Sequence, residues 1–525
     1  MAEAVRPAPA APAALRVRGL VVTPPGAAAP VLRDVDLDVP AGQRVLLAGP
    51  SGSGKSTLLR ALAGVLEEAP GGEPVAAGEV LVGGAAARPG AAGLLLQDPL
   101  DAVVAATAGR DTAFGPENLA LAREEVWERV ARAHAAARFT AGREREVATL
   151  SGGERQRLAL AGVLALLPGV LLLDEPTSML DAPTAAAVRA AVLGAAAGRT
   201  LVVVDHDLAG WAPHVDRVVL LGRDGRLAAD GPPARVLTAG AGQGELWLPG
   251  APAPRPADVP AGLLTPRLPA GGPLAGDALT GRGLGLVRRR RGLRPSAPAA
   301  VLTGVDVDVP AGRTTPLVGT SGSGKSSLLA VLAGLVRPSA GELRAARALA
   351  AGLPPQPWRW RSRELAARSA WVPQTPEHAF VRTTARAEAA ASAAALGLPT
   401  VTADALLELL GLSHRAEVDP FRLSGGEQRR LALAGALAAG PAVLLADEPT
   451  VGQDRATWSV VAGLLLAAAR DGAAVVAASH DGHLVRALDP AGDAAVHLRA
   501  GRRATGPVGP VGPVGPLGPV ARRAS

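Results

Sequence analysis

The sequence contains no cysteine and no tyrosine, and only four phenylalanines and two methionines in 525 residues. Without cysteine there are no disulfide frameworks, thiolate zinc sites or cysteine nucleophiles, which fits a reducing compartment. Lysine is almost missing too: Lys55 and Lys325 are the only two, so arginine supplies 52 of the 54 basic residues. Long apolar runs are also lacking. Outside the Gly/Pro-rich C-terminal tail, the two longest uncharged stretches, 158–173 and 431–446, are 16 residues each with an internal proline, short of the roughly 20 residues a membrane-spanning helix needs. Each reads as a helix followed by a buried strand. The opening MAEAVRPAPAAPAA carries Glu3 and several prolines but no apolar core of a signal peptide, so a chain outside the bilayer is expected. The net charge of +7 comes from arginine spread along the whole length, so nucleic acid is not expected as a partner.

What the chain does contain is one stretch written twice. Gly49-Pro50-Ser51-Gly52-Ser53-Gly54-Lys55-Ser56-Thr57 follows the apolar run Val45-Leu46-Leu47-Ala48 and fills every fixed position of a phosphate-binding loop. Small residues let successive backbone N–H groups converge on phosphate oxygens, and the next helix N-terminus adds partial positive charge. Lys55 reaches the β/γ-phosphates and Ser56 ligates Mg²⁺. Gly319-Thr320-Ser321-Gly322-Ser323-Gly324-Lys325-Ser326-Ser327 repeats this, preceded by VLTGVDVDVPAGR where the first copy has VLRDVDLDVPAGQ. The two lysines stand where a compact point charge must fit a phosphate cradle. An internal repeat outranks length as a guide to architecture, so two large modules are expected.

Each copy carries the same series in the same order. Gln97 ends a short apolar run 42 residues after Lys55; next come Leu150-Ser151-Gly152-Gly153-Glu154, then Val170-Leu171-Leu172-Leu173-Asp174-Glu175, Asp181 and His206. The second series is Gln374, Leu423-Ser424-Gly425-Gly426-Glu427, Val443-Leu444-Leu445-Ala446-Asp447-Glu448, Asp454 and His480. Eight prolines within 249–273 mark a linker, treated as a flexible or extended coil. The expected domains are a disordered tail 1–14, a first module 15–240, a Pro/Gly-rich linker 241–277, a second module 278–503 and a low-complexity tail 504–525.

Six ordered motifs, twice over, make both halves resemble ABC-type ATPase domains, covering about 450 of 525 residues. The resemblance implies an α/β fold: two tandem P-loop NTPase domains, each with a mainly parallel sheet core, an antiparallel β subdomain and a helical subdomain. It implies that Glu175 and Glu448 are general bases for the attacking water, and that His206 and His480 contact the γ-phosphate. Gln97 and Gln374 would sense Mg²⁺ and γ-phosphate, with Ser56, Asp174, Ser326 and Asp447 completing the metal sets. In this family the Ser-Gly-Gly of one module serves the ATP of the other. One site would then join the first P-loop to Ser424, Gly425 and Gly426, and the other would join the second P-loop to Ser151, Gly152 and Gly153. The aromatic that usually stacks on adenine is missing; its place falls near Pro24 and near the run 288–291.

The segments after the glutamines, Asp98-Pro99 with Ala113-Phe114-Gly115-Pro116-Glu117-Asn118 and Thr375-Pro376-Glu377-His378-Ala379-Phe380, resemble those of the paired ATPases of energy-coupling factor importers. That likeness implies a transmembrane coupling subunit, a membrane protein capturing a vitamin, vitamin precursor or metal ion, and a place on the cytoplasmic face of the membrane. Acids at Asp98, Asp101, Glu117, Glu377 and Glu388 are expected to face the coupling subunit. The alternatives are the fused ATPase of another importer, such as one for sugars, and a soluble tandem-ABC translation factor.

Overall fold

The computed structural model describes residues 11–25, 29–66, 75–178, 180–237, 246–248, 251–269, 273–288 and 299–504. Most of both tails, and parts of the linker and of the run 288–291, lie outside them. The chain divides into two compact units between Ala251 and Pro252.

In the first unit a six-stranded sheet runs in the order Leu227–Gly231, Arg217–Leu221, Arg44–Ala48, Thr200–Val204, Val170–Asp174, Gly93–Leu95. All neighbours are parallel except Leu227–Gly231 against Arg217–Leu221. The sequences VLLLD and TLVVV are buried at every position, the near-continuous apolar pattern that a sheet covered on both faces requires. A second sheet, Leu32–Val39, Leu15–Val22, Ala76–Val82 and Ala85–Ala86, is antiparallel. Its strand LRDVDLDV sends Leu32, Val35, Leu37 and Val39 inward and its charges outward. The helices Ala108–Asn118 and Arg123–Ala136 pack on Gly152–Ala165 and form the helical part.

The second unit repeats this plan. Its sheet runs Ser369–Val372, Val443–Asp447, Ala474–Ala478, Thr314–Val318, Val496–Arg499, Arg502–Arg503, and Asp277–Arg288 is the middle strand of an antiparallel sheet between Ala299–Pro310 and Ala340–Ala345. It also carries an addition, the short helices Arg347–Ala350 and Ser362–Ala366. Arg368 closes this addition: its guanidinium lies 5.2 Å from the Trp360 ring and donates to the carbonyls of Leu349 and Ala350. The extra chain explains why Gln374 follows Lys325 by 49 residues where Gln97 follows Lys55 by 42.

The linker is more ordered than a flexible coil. Residues 251–269 run along the second unit, where Ala257 N–H donates to Ser459 O at 2.7 Å, Leu264 N–H to Asp471 Oδ2 at 3.1 Å and Arg267 N–H to Gly440 O at 2.8 Å. Arg470 donates in turn to Val259 O at 3.1 Å and Pro260 O at 3.2 Å, while Val259 and Leu264 are buried. Proline removes backbone donors and holds the chain extended. The strap therefore accepts from side chains of the helix Arg455–Arg470 rather than forming structure of its own. Gly463 on that helix lies so close that a Cβ would collide with the Ala257 carbonyl. Among the described residues no helix is long and apolar enough to cross a membrane.

Candidate functional site

Strand order and register build the first site. Arg44–Ala48 ends in the P-loop, and its parallel neighbour Thr200–Val204 leads to His206. Asp174 sits opposite Val204 at the end of the next strand, and Leu95 opposite Leu173 places Gln97 just beyond the one after. Four neighbouring strands thus deliver their polar residues at one carboxyl edge, the place where open α/β sheets bind ligands.

The P-loop turns because Gly52 and Gly54 adopt φ of 79° and 96°, and a Cβ on Gly49 would stand 2.6 Å from Leu221 O. Lys55, only 8% exposed, donates through Nζ to Gly49 O at 2.9 Å and Pro50 O at 2.8 Å. The loop is thereby closed around its own ammonium group.

Glu175 has a left-handed backbone at φ 48°, strained for a non-glycine residue and typical of functional positions. Its Oε1 lies 2.9 Å from His206 Nε2, and its Oε2 accepts from Gln97 Nε2 at 2.9 Å and from Ser178 Oγ at 2.5 Å. Burial alone would raise this carboxyl's pKa; the His206 charge and hydrogen bond, the Ser178 hydroxyl and Lys55 outweigh it and hold the pKa at about 2. Burial opposes protonation of His206, yet the adjacent carboxylate raises its pKa. Asp174 goes the other way. Burial first and Glu175 second push it to about 6, against the Ser56 hydrogen bond and Lys55, and its Oδ1 is buried without a hydrogen-bond partner.

The second site repeats most of this arrangement. Gly322 and Gly324 have φ of 78° and 103°, and Glu448 has φ 53°. Lys325 Nζ donates to Gly319 O at 2.8 Å and lies 3.8 Å from Glu448 Oε1. His480 reaches Glu448 Oε1 at 3.0 Å through Nδ1, not Nε2. Burial raises Asp447 to about 6 and leaves its Oδ1 unpartnered. Gln374 differs: it is exposed and makes no hydrogen bond among the described residues.

The signature segments start the helices Gly152–Ala165 and Gly425–Leu437. Ser151 and Ser424 each cap their helix, and Glu154 and Glu427 bond back to the cap in a capping box. Sequence reasoning quoted these glutamates with the serine and glycines but gave them no role, although the S-x-x-E spacing of a capping box is legible. Asp181 and Asp454 cap the following helices through Thr184 N–H and Thr457 N–H.

Three further supporting contacts near the site were not foreseen. Asp205, fully buried, accepts from Thr177 Oγ1 at 2.5 Å and from Thr177 N–H; in the second unit Thr450 bonds instead to Asp481. Asp111 Oδ1 accepts from the N–H groups of Val104 and Ala105, bracing the loop after Gln97. Glu388 does the same for Val381 and Arg382. The docking role expected of Glu388 is thus corrected: it is buried, and its Oε2 is taken up by these two backbone N–H groups. Of the places suggested for adenine, Pro24 is half-buried and Arg288 ends an antiparallel strand with its side chain exposed, while 289–291 lie outside the described residues.

A family model described as ABC transporter matches residues 32–178 and 302–451. An ABC transporter ATP-binding protein of Streptomyces coelicolor is 36% identical over 90% of this chain and 91% of its own length. A Bacillus subtilis protein named for HMP/thiamine import as its ATP-binding protein is 33% identical over 87% of this chain and 85% of its own. The solved structure of CbiO1 from Clostridium perfringens, titled as part of the ABC transporter complex CbiONQ, is 26% identical over 43% of this chain and 91% of its own, at a TM-score of 0.39.

Proposed function

This chain belongs to the ABC transporter ATP-binding family, and on that premise we propose that it is the fused double ATPase of an energy-coupling factor importer for a vitamin, vitamin precursor or metal ion. Its two domains bind ATP, and its ATPase activity is coupled to transport. The observation that carries the finer reading is the end-to-end similarity to the HMP/thiamine import protein, which spans both modules and the linker between them. The residues after Gln97 and Gln374 support it.

In this reading the P-loop backbone and Lys55 or Lys325 bind the phosphates. Glu175 and Glu448 take the proton of the attacking water, and His206 and His480 orient that carboxylate and meet the γ-phosphate. The oxygen donors of Ser56 with Asp174, and of Ser326 with Asp447, fit Mg²⁺: each aspartate keeps one buried oxygen without a partner, and Mg²⁺ prefers hard oxygen ligands. Gln97 and Gln374 complete the sets. When bound, Mg²⁺ would neutralise phosphate charge. The signature serines and glycines would close each site from the other module.

A transmembrane partner would dock beside the helical part. In the first unit a cavity of about 170 Å³ lined by Pro99, Val104, Phe114 and Leu166 lies there, and Val104 and Phe114 are half exposed. Asp98, Asp101, Glu117 and Glu377 remain the acids proposed for that surface. Purifying the chain from its native membranes tests this reading. We expect a coupling subunit and a small capture protein to come with it, and the assembly to take up labelled vitamin precursor into vesicles with ATP. Recovery with ribosomes, or with a sugar permease alone, contradicts it.

A further inference from the structure

The two modules carry opposite charge in one matching stretch. From ten residues after the P-loop lysine to three before the glutamine, the second module (335–371) has seven arginines against Glu342 and Glu364, a net charge of +5. The same stretch of the first module (65–94) has Arg88 against Glu67, Glu68, Glu73 and Glu79, a net charge of −3. Of the seven arginines only Arg368 is buried, against Trp360. Arg344 pairs with Glu342 at 2.9 Å; Arg337, Arg347, Arg359, Arg361 and Arg363 are exposed and make no ion pair among the described residues. Glu364 is turned to the backbone, accepting from Arg361 N–H at 2.7 Å. The surface under these arginines is fixed. Ala345 N–H donates to Pro355 O at 2.7 Å, Trp360 Nε1 donates to Pro354 O at 2.6 Å, and a Cβ on Gly334 would stand 2.8 Å from the Pro357 carbonyl carbon. Arg359 therefore ends a held turn, Pro357–Arg359, and Arg361 and Arg363 stand at the start of the helix Ser362–Ala366.

We propose that this arginine-rich surface of the second module binds anionic phospholipid headgroups, and so attaches the chain to the membrane independently of any protein partner. The inference rests on the transporter reading only for where such lipids are met. A guanidinium presents a planar fork of donors that matches a phosphate, and it keeps its charge at any physiological pH. The cytoplasmic leaflet is negatively charged and attracts clustered arginines, each near the surface strengthening binding by about fivefold. Leu335 beside the cluster is 61% exposed and supplies an apolar side chain for the headgroup boundary. Single-stranded nucleic acid would ask for free aromatic faces on which bases stack. The tryptophans of this stretch do not offer them: Trp360 is buried against Arg368, and Trp358 and Trp371 pack on the core of the second unit. The acidic stretch of the first module gives the surface no counterpart there.

The test is flotation of the purified full chain with vesicles of phosphatidylglycerol or of phosphatidylcholine, with no permease present. The parent floats with phosphatidylglycerol, not with phosphatidylcholine, and the binding weakens as salt is added. R359Q/R361Q/R363Q weakens the partition by about 10²-fold while ATP hydrolysis stays at the parent rate, which shows that the variant is folded. Should this variant lose its melting transition, R337Q/R347Q replaces it, with an expected loss of about 20-fold. R33Q/R123Q/R138Q removes the same charge from exposed positions of the first unit and leaves vesicle binding as in the parent. An equal loss in this control means that overall charge, and not the surface, binds the lipid, and overturns the proposal. So does parental vesicle binding by the folded patch variants, or binding of a single-stranded RNA oligonucleotide that needs these arginines when vesicles are not bound. Copurification from native membranes separates this from the underlying reading. If a coupling subunit copurifies but the vesicles are not bound, only the lipid surface fails; if the vesicles are bound through the arginines but no coupling subunit copurifies, the transporter reading fails and the surface stands.

Discussion

The two modules agree in their glycine-rich loops and in the strained backbone of their glutamates, and disagree wherever one side chain supports another. Both P-loops turn on two left-handed glycines, both lysines close on the first carbonyl of their loop, and both glutamates adopt the same strained backbone. Behind these, the supports were rebuilt. Thr177 is held by Asp205, one residue before the histidine, whereas Thr450 is held by Asp481, one residue after it. Asp481 also accepts from Trp458 Nε1 at 2.6 Å, while its counterpart Asp207 pairs with Arg189 at 2.7 Å. Gln97 reaches its glutamate and Gln374 does not. Among the described residues, the strap 251–269 lies along a helix of the second unit and has no counterpart in the first. Phosphate geometry admits few backbones, but a buried hydroxyl can be satisfied by any carboxylate of suitable reach.

The largest effects should be symmetric. K55A and K325A each remove a buried cation from a phosphate site, a loss of about 2–5 kcal/mol in ATP binding. Calorimetric titration should fall from two nucleotides per chain to one in either variant; if only one of them loses a site, the equivalence of the P-loops breaks.

The supports should respond asymmetrically. D205A strands the Thr177 N–H and hydroxyl in the interior, at a cost of about 1–3 kcal/mol. S479A, at the matching position, removes one local bond to Asp481 N–H and should cost under about 1 kcal/mol by denaturant unfolding. Equal costs would mean that the position, and not the carboxylate, carries the support. G463V sharpens the contrast further. It forces the strap away from its helix and should lower the stability of the second unit alone by about 1–3 kcal/mol, read as a shift of one calorimetric transition; a shift of the other sinks the account of the strap.

A further effect is on pH. Asp174 and Asp447 have raised pKa values, so each favours the folded state only while protonated, and nucleotide-free stability should decline from about pH 4 to pH 6. His206 and His480 are also raised; their contribution is full below about 6.5 and is lost as pH rises through their folded values. D174N and D447N should each flatten the lower part of the melting-temperature profile. If neither does, these carboxyls do not titrate where burial places them.

Much of this was legible in the sequence, because motif order constrains topology. A P-loop after an apolar strand and two acids ending another place four strand ends together, and the structure has them so. The supports were not legible, since Asp205, Ser178 and Asp111 lie in no motif and gain their meaning from a fold that brings 177 to 205 and 104 to 111. The strap was misread for a physical reason. Eight prolines signal a segment without structure of its own, and nothing local reveals that Arg470, Ser459 and Gly440 would bond to it. Glu388 was read as a surface acid because its helix position gives no sign of the two backbone N–H groups waiting for it.

The central claim is that two glutamates, each held by a histidine, hydrolyse ATP in one chain, and the E175Q/E448Q double variant tests it most directly. ATP retention and phosphate release should be measured on the same sample. The account predicts two ATP held per chain with hydrolysis reduced by about 10²–10⁴-fold. Hydrolysis near the parent rate with ATP bound would contradict it.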